Sequence, residues 1–161
     1  MKIKSFAAAL MVSLLVACAS QTGGVSSPSA PDDGTPPKAT LVSEQRRLAE
    51  LFRGTPVVFA MQSDGTLKVT VPLGFSFDKG RYAVKPPLAK VLDLVARSQR
   101  NEPTRMMVTA PADPQSKGLI LATERATSTR DYLVAKGISP TRFSISAAST
   151  GDTVAVVIAN R

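Results

Sequence analysis

The chain has 161 residues, with 20 Lys and Arg against 12 Asp and Glu, for a net charge of +8. It contains no His, no Trp and one cysteine, Cys18. That composition excludes His-based acid–base catalysis, His-ligated metals and internal disulfides, and a chain this size builds one domain around one modest core.

Lys2 and Lys4 precede an apolar run, Phe6 to Val16, of signal-peptide length. The run is too short to cross a hydrocarbon layer about 30 Å thick. Its end, Leu15-Val16-Ala17-Cys18, resembles the bacterial lipobox. The resemblance implies removal of residues 1–17 and acylation of Cys18, with palmitate among the chains, and two or more chains give stable anchoring. Ala19 stands where an Asp would retain a lipoprotein at the inner membrane, so the expectation is an outer-membrane lipid anchor facing the periplasm. An ordinary secretory signal with an incidental cysteine is the competing reading. Loss of Lys2 and Lys4 with the leader lowers the net charge from +8 to +6, which draws the domain toward anionic headgroups or wall carboxylates. Nucleic acid is not an expected partner, because no basic–aromatic alternation occurs.

Residues 18–40 read as a tether. Ala19 to Thr40 holds Pro28, Pro31, Pro36 and Pro37 among Ser and Gly, and such a segment buries too little surface to offset its ordering entropy. The domain expected over 41–161 begins with Ser43 as N-cap of a helix through Arg53, stopped by Gly54. Val57 to Gln62 and Thr66 to Pro72 form a hairpin, since Leu67, Val69 and Val71 alternate with Lys68 and Thr70. Gly74 to Pro87 reads as a loop plugged by Phe75 and Phe77. Leu88 to Ser98 has helical apolar spacing behind Pro87. A strand at Met106–Thr109, a rigid loop at Ala110–Pro114, a helix from Leu119 to Lys136 stopped by Gly137, and strands at Arg142–Ala147 and Thr153–Ala159 complete the order. The last strand is almost wholly apolar and belongs in the centre of a sheet. The expected class is α+β, a mixed sheet with helices on one face.

Several strings between Thr66 and Arg161 resemble the OmpA-like domains of peptidoglycan-associated envelope proteins. They are Phe75-Ser76-Phe77-Asp78-Lys79-Gly80, Val108-Thr109-Ala110-Pro111-Ala112-Asp113, Leu121-Ala122-Thr123-Glu124-Arg125-Ala126, and Tyr132 to Ile138 followed by Arg142-Phe143. The resemblance implies a βαβαββ sandwich and a site for the diaminopimelate of a peptidoglycan stem peptide. Asp113 would pair with the ligand's ammonium, and Arg125 would take its carboxylate in a charge-assisted fork. On that reading Asp113→Ala and Arg125→Ala each abolish binding and leave stability nearly unchanged.

The chain departs from the pattern at Ala110, Pro111 and Ala112, where the family has Gly-His-Thr, and at Gly118, where it has Asn. Pro111 and Pro114 remove two backbone donors. By themselves Asp113 reads as a turn former and Arg125 as a solvated helix residue. A second reading is therefore an accessory lipoprotein of an envelope protein complex (secretion, pilus or efflux) whose domain binds a protein. An enzyme is the weakest reading: no Gly-x-Ser-x-Gly elbow and no acidic pair in an apolar context is present, and Ser116-Lys117 are only sequence neighbours. No cofactor or metal is expected.

Overall fold

The computed structural model describes residues 40–114, 118–148 and 150–161. The leader, Cys18, the tether up to residue 39, Ser116 and Lys117 lie outside the described residues.

Helix α1 spans Leu41–Leu51. Its N-cap is Thr40, whose hydroxyl accepts the Ser43 N–H at 3.2 Å. Ser43 therefore sits inside the first turn and not at the cap, because Thr40 already reaches the third amide of the helix. Leu41 and Leu48 face the core. On the same helix Gln45 Nε2 donates to the Phe59 carbonyl at 2.8 Å, and the Phe52 ring tilts against Phe59 with centroids 5.4 Å apart. Strands β1 (Val58–Met61) and β2 (Leu67–Pro72) form the expected hairpin. Its turn is closed by Asp64, whose Oδ1 accepts the Thr66 N–H at 3.0 Å.

A single helical turn, α2 (Leu73–Ser76), follows β2 directly, so the segment read as a loop from Gly74 is partly ordered. Phe77 is buried as expected, whereas Phe75 is about half exposed and plugs nothing. The difference follows from α2, since the turn directs the two aromatics to different surroundings. Helix α3 (Pro86–Gln99) accepts both prolines in its first turn and buries Leu88, Val91, Leu92, Val95 and Ala96.

Strand β3 runs Thr104–Pro111, two residues beyond the expected end, because Ala110 and Pro111 continue the parallel ladder with β4. The rigid loop is thus shortened to its last residues. Helix α4 spans Leu119–Ala135, and Gly137 ends it at φ +94°. A 3₁₀ turn, Pro140–Arg142, leads into β4 (Phe143–Ala148), and β5 (Thr153–Asn160) closes the sheet.

The sheet order is β1-β2-β5-β3-β4. β5 lies in the middle, antiparallel to both β2 and β3, while β3 and β4 run parallel. Alternate residues of β2, β3 and β5 (Leu67, Val69, Val71; Met106, Val108, Ala110; Val154, Val156, Ile158) share one buried cluster with α1, α3 and α4. The facing set, including Lys68, Arg105 and Met107, is half-buried or exposed. Each fully buried Leu or Val contributes about 1.5–3 kcal/mol over an exposed one. The helices thus cover one face of a mixed sheet. At one end of that sheet β2 stops, β3 stops and β5 starts, which brings three loops together.

Candidate functional site

At this end of the sheet the chain gathers Asp78, Lys79, Gly80, Asp113, Arg125 and Asp152. Arg125 projects from the second turn of α4 and is completely buried. Its Nη2 donates to Asp113 Oδ1 at 2.6 Å and to the Asp78 carbonyl at 3.2 Å. Nη1 donates to the Pro111 carbonyl at 3.0 Å, and Nε to the Arg81 carbonyl at 2.9 Å. The guanidinium also lies 5.3 Å from the centre of the Phe77 ring, a cation–π contact. Four of its five donors are occupied by the chain's own acceptors. The carbonyl of Pro111 is available to it because β3 continues to that residue.

Asp113, read by itself from sequence as a turn former, is 8% exposed. Its Oδ1 holds Arg125 and its Oδ2 accepts the Gly80 N–H at 2.7 Å. Gly80 has φ +67°, a left-handed turn that a side chain would strain, and this turn aims its amide at the carboxylate. Burial pushes the Asp113 carboxyl up. The hydrogen bonds from Arg125 and Gly80, with the charges of Arg125 and Lys79, outweigh burial and hold the group below its ordinary 3.8. Asp113 and Arg125, twelve residues apart in sequence, therefore form one buried ion pair that ties the loop after Phe77 to β3 and α4.

Beside the pair opens a cavity of about 450 Å³. Pro72, Leu73, Phe77 and Pro114 supply apolar walls, and Lys79, Asp113 and Asp152 supply charge. Its size suits a small ligand or the end of a larger one. Lys79 and Asp152 were not legible as site residues: each is an isolated charge in a local turn, and only the meeting of loops brings them to one cavity. Gly80 carried a signal, a glycine closing Asp-Lys-Gly, which marks a turn but not its use as a donor. Among the described residues no group of three His, Cys, Asp or Glu is arranged to hold a metal ion.

No protein-family profile matches the chain, and no curated protein sequence does. Solved structures do match its fold. A putative MotB-like protein from Desulfovibrio vulgaris superposes with a TM-score of 0.60 at 14% identity, over 75% of this chain and 92% of the other. The cell wall anchor of the T6SS from Pseudomonas aeruginosa gives 0.59 at 16% identity, over 77% and 99%. The periplasmic domain of Helicobacter pylori MotB (its residues 78–256) gives 0.55 at 14%, over 66% and 83%. The chain has the α+β fold of these domains, which is the OmpA-like fold its sequence strings implied.

Proposed function

We infer that the protein is a wall-associating lipoprotein: a domain that binds peptidoglycan non-covalently, tethered through acylated Cys18 to the outer membrane on its periplasmic side. The observation that carries the reading is the Asp113–Arg125 pair, retained at the loop end of a fold shared with a solved cell wall anchor. Asp113 lines the cavity and, with its two carboxylate oxygens on Arg125 and Gly80, holds the wall against which ligand would sit. Arg125 acts beneath it by fixing the carboxylate and keeping it ionised. The mature charge of +6 favours approach to a polyanionic wall. No catalytic step is assigned to the site.

The test is co-sedimentation of purified full-length protein with sacculi of diaminopimelate type, beside Asp113→Asn. Wild-type pelleting that the variant loses supports the reading; a soluble wild type overturns it. The anchor is checked separately: Cys18→Ser is expected to abolish incorporation of labelled palmitate and to release the protein from membranes.

A second reading, a domain docking on an envelope protein, draws on a different surface. An apolar groove of about 670 Å³ lies between the end of α1 and α3, lined among others by Leu51, Phe52, Val57, Phe75 and Leu94. Leu51 and Phe75 are exposed there, and exposed apolar surface of this kind marks interaction sites. Wild-type protein that stays soluble with sacculi but is retained by envelope proteins would favour it.

A further inference from the structure

We propose that Lys79 and Asp152, and not Arg125, read the ligand's charges in the cavity, Lys79 taking the carboxylate and Asp152 the ammonium of a zwitterionic amino-acid head group. The inference rests on the peptidoglycan reading and changes which residues carry it.

The argument is one of available valences. A forked contact with a ligand carboxylate needs two parallel guanidinium donors, and Arg125 is buried with four donors already on Asp113 and on the carbonyls of Asp78, Arg81 and Pro111. Freeing two of them would strand buried acceptors. The neighbouring Lys85 is also engaged, its Nζ 3.0 Å from Asp78 Oδ1 and 3.0 Å from the Gly74 carbonyl. Lys79, by contrast, lines the cavity, is exposed, and makes no ion pair or hydrogen bond among the described residues.

The same holds for Asp152 on the opposite loop. Its backbone carbonyl accepts the Leu73 N–H at 2.7 Å, fixing the loop; the residue lines the cavity and is exposed, and its carboxylate makes no ion pair or hydrogen bond among the described residues. Asp113 is already neutralised by Arg125. One cation and one anion are left to face a ligand, and that pattern complements a zwitterion. The apolar walls of Pro72, Leu73, Phe77 and Pro114 suit the short aliphatic arm that carries such a head group.

The test measures equilibrium binding of two synthetic probes to full-length protein: the tripeptide L-Ala-γ-D-Glu-meso-diaminopimelate, and the same peptide amidated at the carboxylate of its free head group. Wild type is expected to prefer the free acid by up to about fivefold, the upper end for one solvent-edge charge pair. Lys79→Met should erase that preference, Lys79→Glu should invert it, and Asp152→Asn should weaken both probes alike by up to about fivefold. Both side chains are exposed, so thermal unfolding of the three variants should match wild type. Preference retained in Lys79→Met, or unchanged binding in Asp152→Asn, overturns the proposal while leaving wall association standing. A wild type that binds neither probe nor sacculi overturns the peptidoglycan reading itself.

Discussion

Arg125 is the residue whose environment decides most. A guanidinium with no exposure, one carboxylate partner and three carbonyl partners is a structural tie as much as a site residue. Removing one member of a buried pair leaves the other charge uncompensated, at a cost of about 3–5 kcal/mol. Arg125→Ala is therefore expected to lose that much in urea unfolding, reversing the sequence-based expectation that stability stays nearly unchanged. Arg125→Lys should rescue little, since a point charge cannot address four acceptors spread around a planar fork. The partner carboxylate sets a pH dependence. Because Asp113 is held below 3.8 in the folded state, its contribution is fully present above about pH 4 and is lost as pH falls through the folded value. Unfolding followed by circular dichroism should show stability dropping below about pH 4, with a shallower drop in Asp113→Asn. Some slope should remain there. Asp93, whose pKa is lowered first by the hydrogen bond from Lys136, acts in the same direction.

Among the elements, the junction between α3 and β4 depends on one side chain. Arg142 donates from Nε to the Thr104 carbonyl at 2.7 Å and from Nη1 to the carbonyls of Gln99 and Arg100 at 2.8 and 3.2 Å. It thereby satisfies carbonyls at the end of α3 that have no partner within the helix. Arg142→Ala should cost about 1.5–3 kcal/mol, the range for hydrogen bonds to a charged group, and leave sedimentation with sacculi unchanged, because none of these contacts is at the cavity. Urea unfolding and the pelleting assay check the two halves of that expectation. The elements differ in how plainly the sequence announced them. Helix α3 and strand β2 were legible because their buried faces are almost entirely apolar at periods of 3.6 and 2, and β5 because nearly its whole run is apolar. The buried face of α4 is not: Ala122, Arg125, Ala126, Thr129 and Leu133 point inward while Leu119 and Ile120 are exposed. Its extent could be read, but the inward turn of Arg125 could not, since a charge near a helix start normally faces water. Pro111 misled for a related reason. Proline reads as a loop, yet at the last position of a strand its missing N–H matters little, and here its carbonyl serves Arg125. Resemblance supplied Asp113 and Arg125 as two ligand contacts but not their bond to each other, whereas Lys79 and Asp152 belong to loops 73 positions apart that no local pattern connects.

For the whole molecule, the functional end and the stable body share parts. Asp113, Arg125 and Phe77 belong both to the cavity region and to the packing that joins the loop after β2 to β3 and α4, so the cavity's shape follows the integrity of the sheet beneath it. That sheet is arranged unusually in time. Its central strand, β5, is the last in sequence order, and it pairs with β2 some 86 residues earlier, Leu67 facing Ile158 across the ladder and Pro72 facing Thr153. Deleting residues 153–161 is therefore expected to abolish cooperative unfolding altogether and not to leave a smaller folded domain, which a thermal melt would show as a flat trace. Until Thr153–Asn160 arrives, the sheet has only the hairpin β1–β2 and the separate β3–β4 pair, with no strand between them. Pairings this remote in sequence form slowly, and a chain that stays open until its final strand emerges is one that can be threaded, still unfolded, through a narrow passage before it closes, which is what the export proposed for this protein would require.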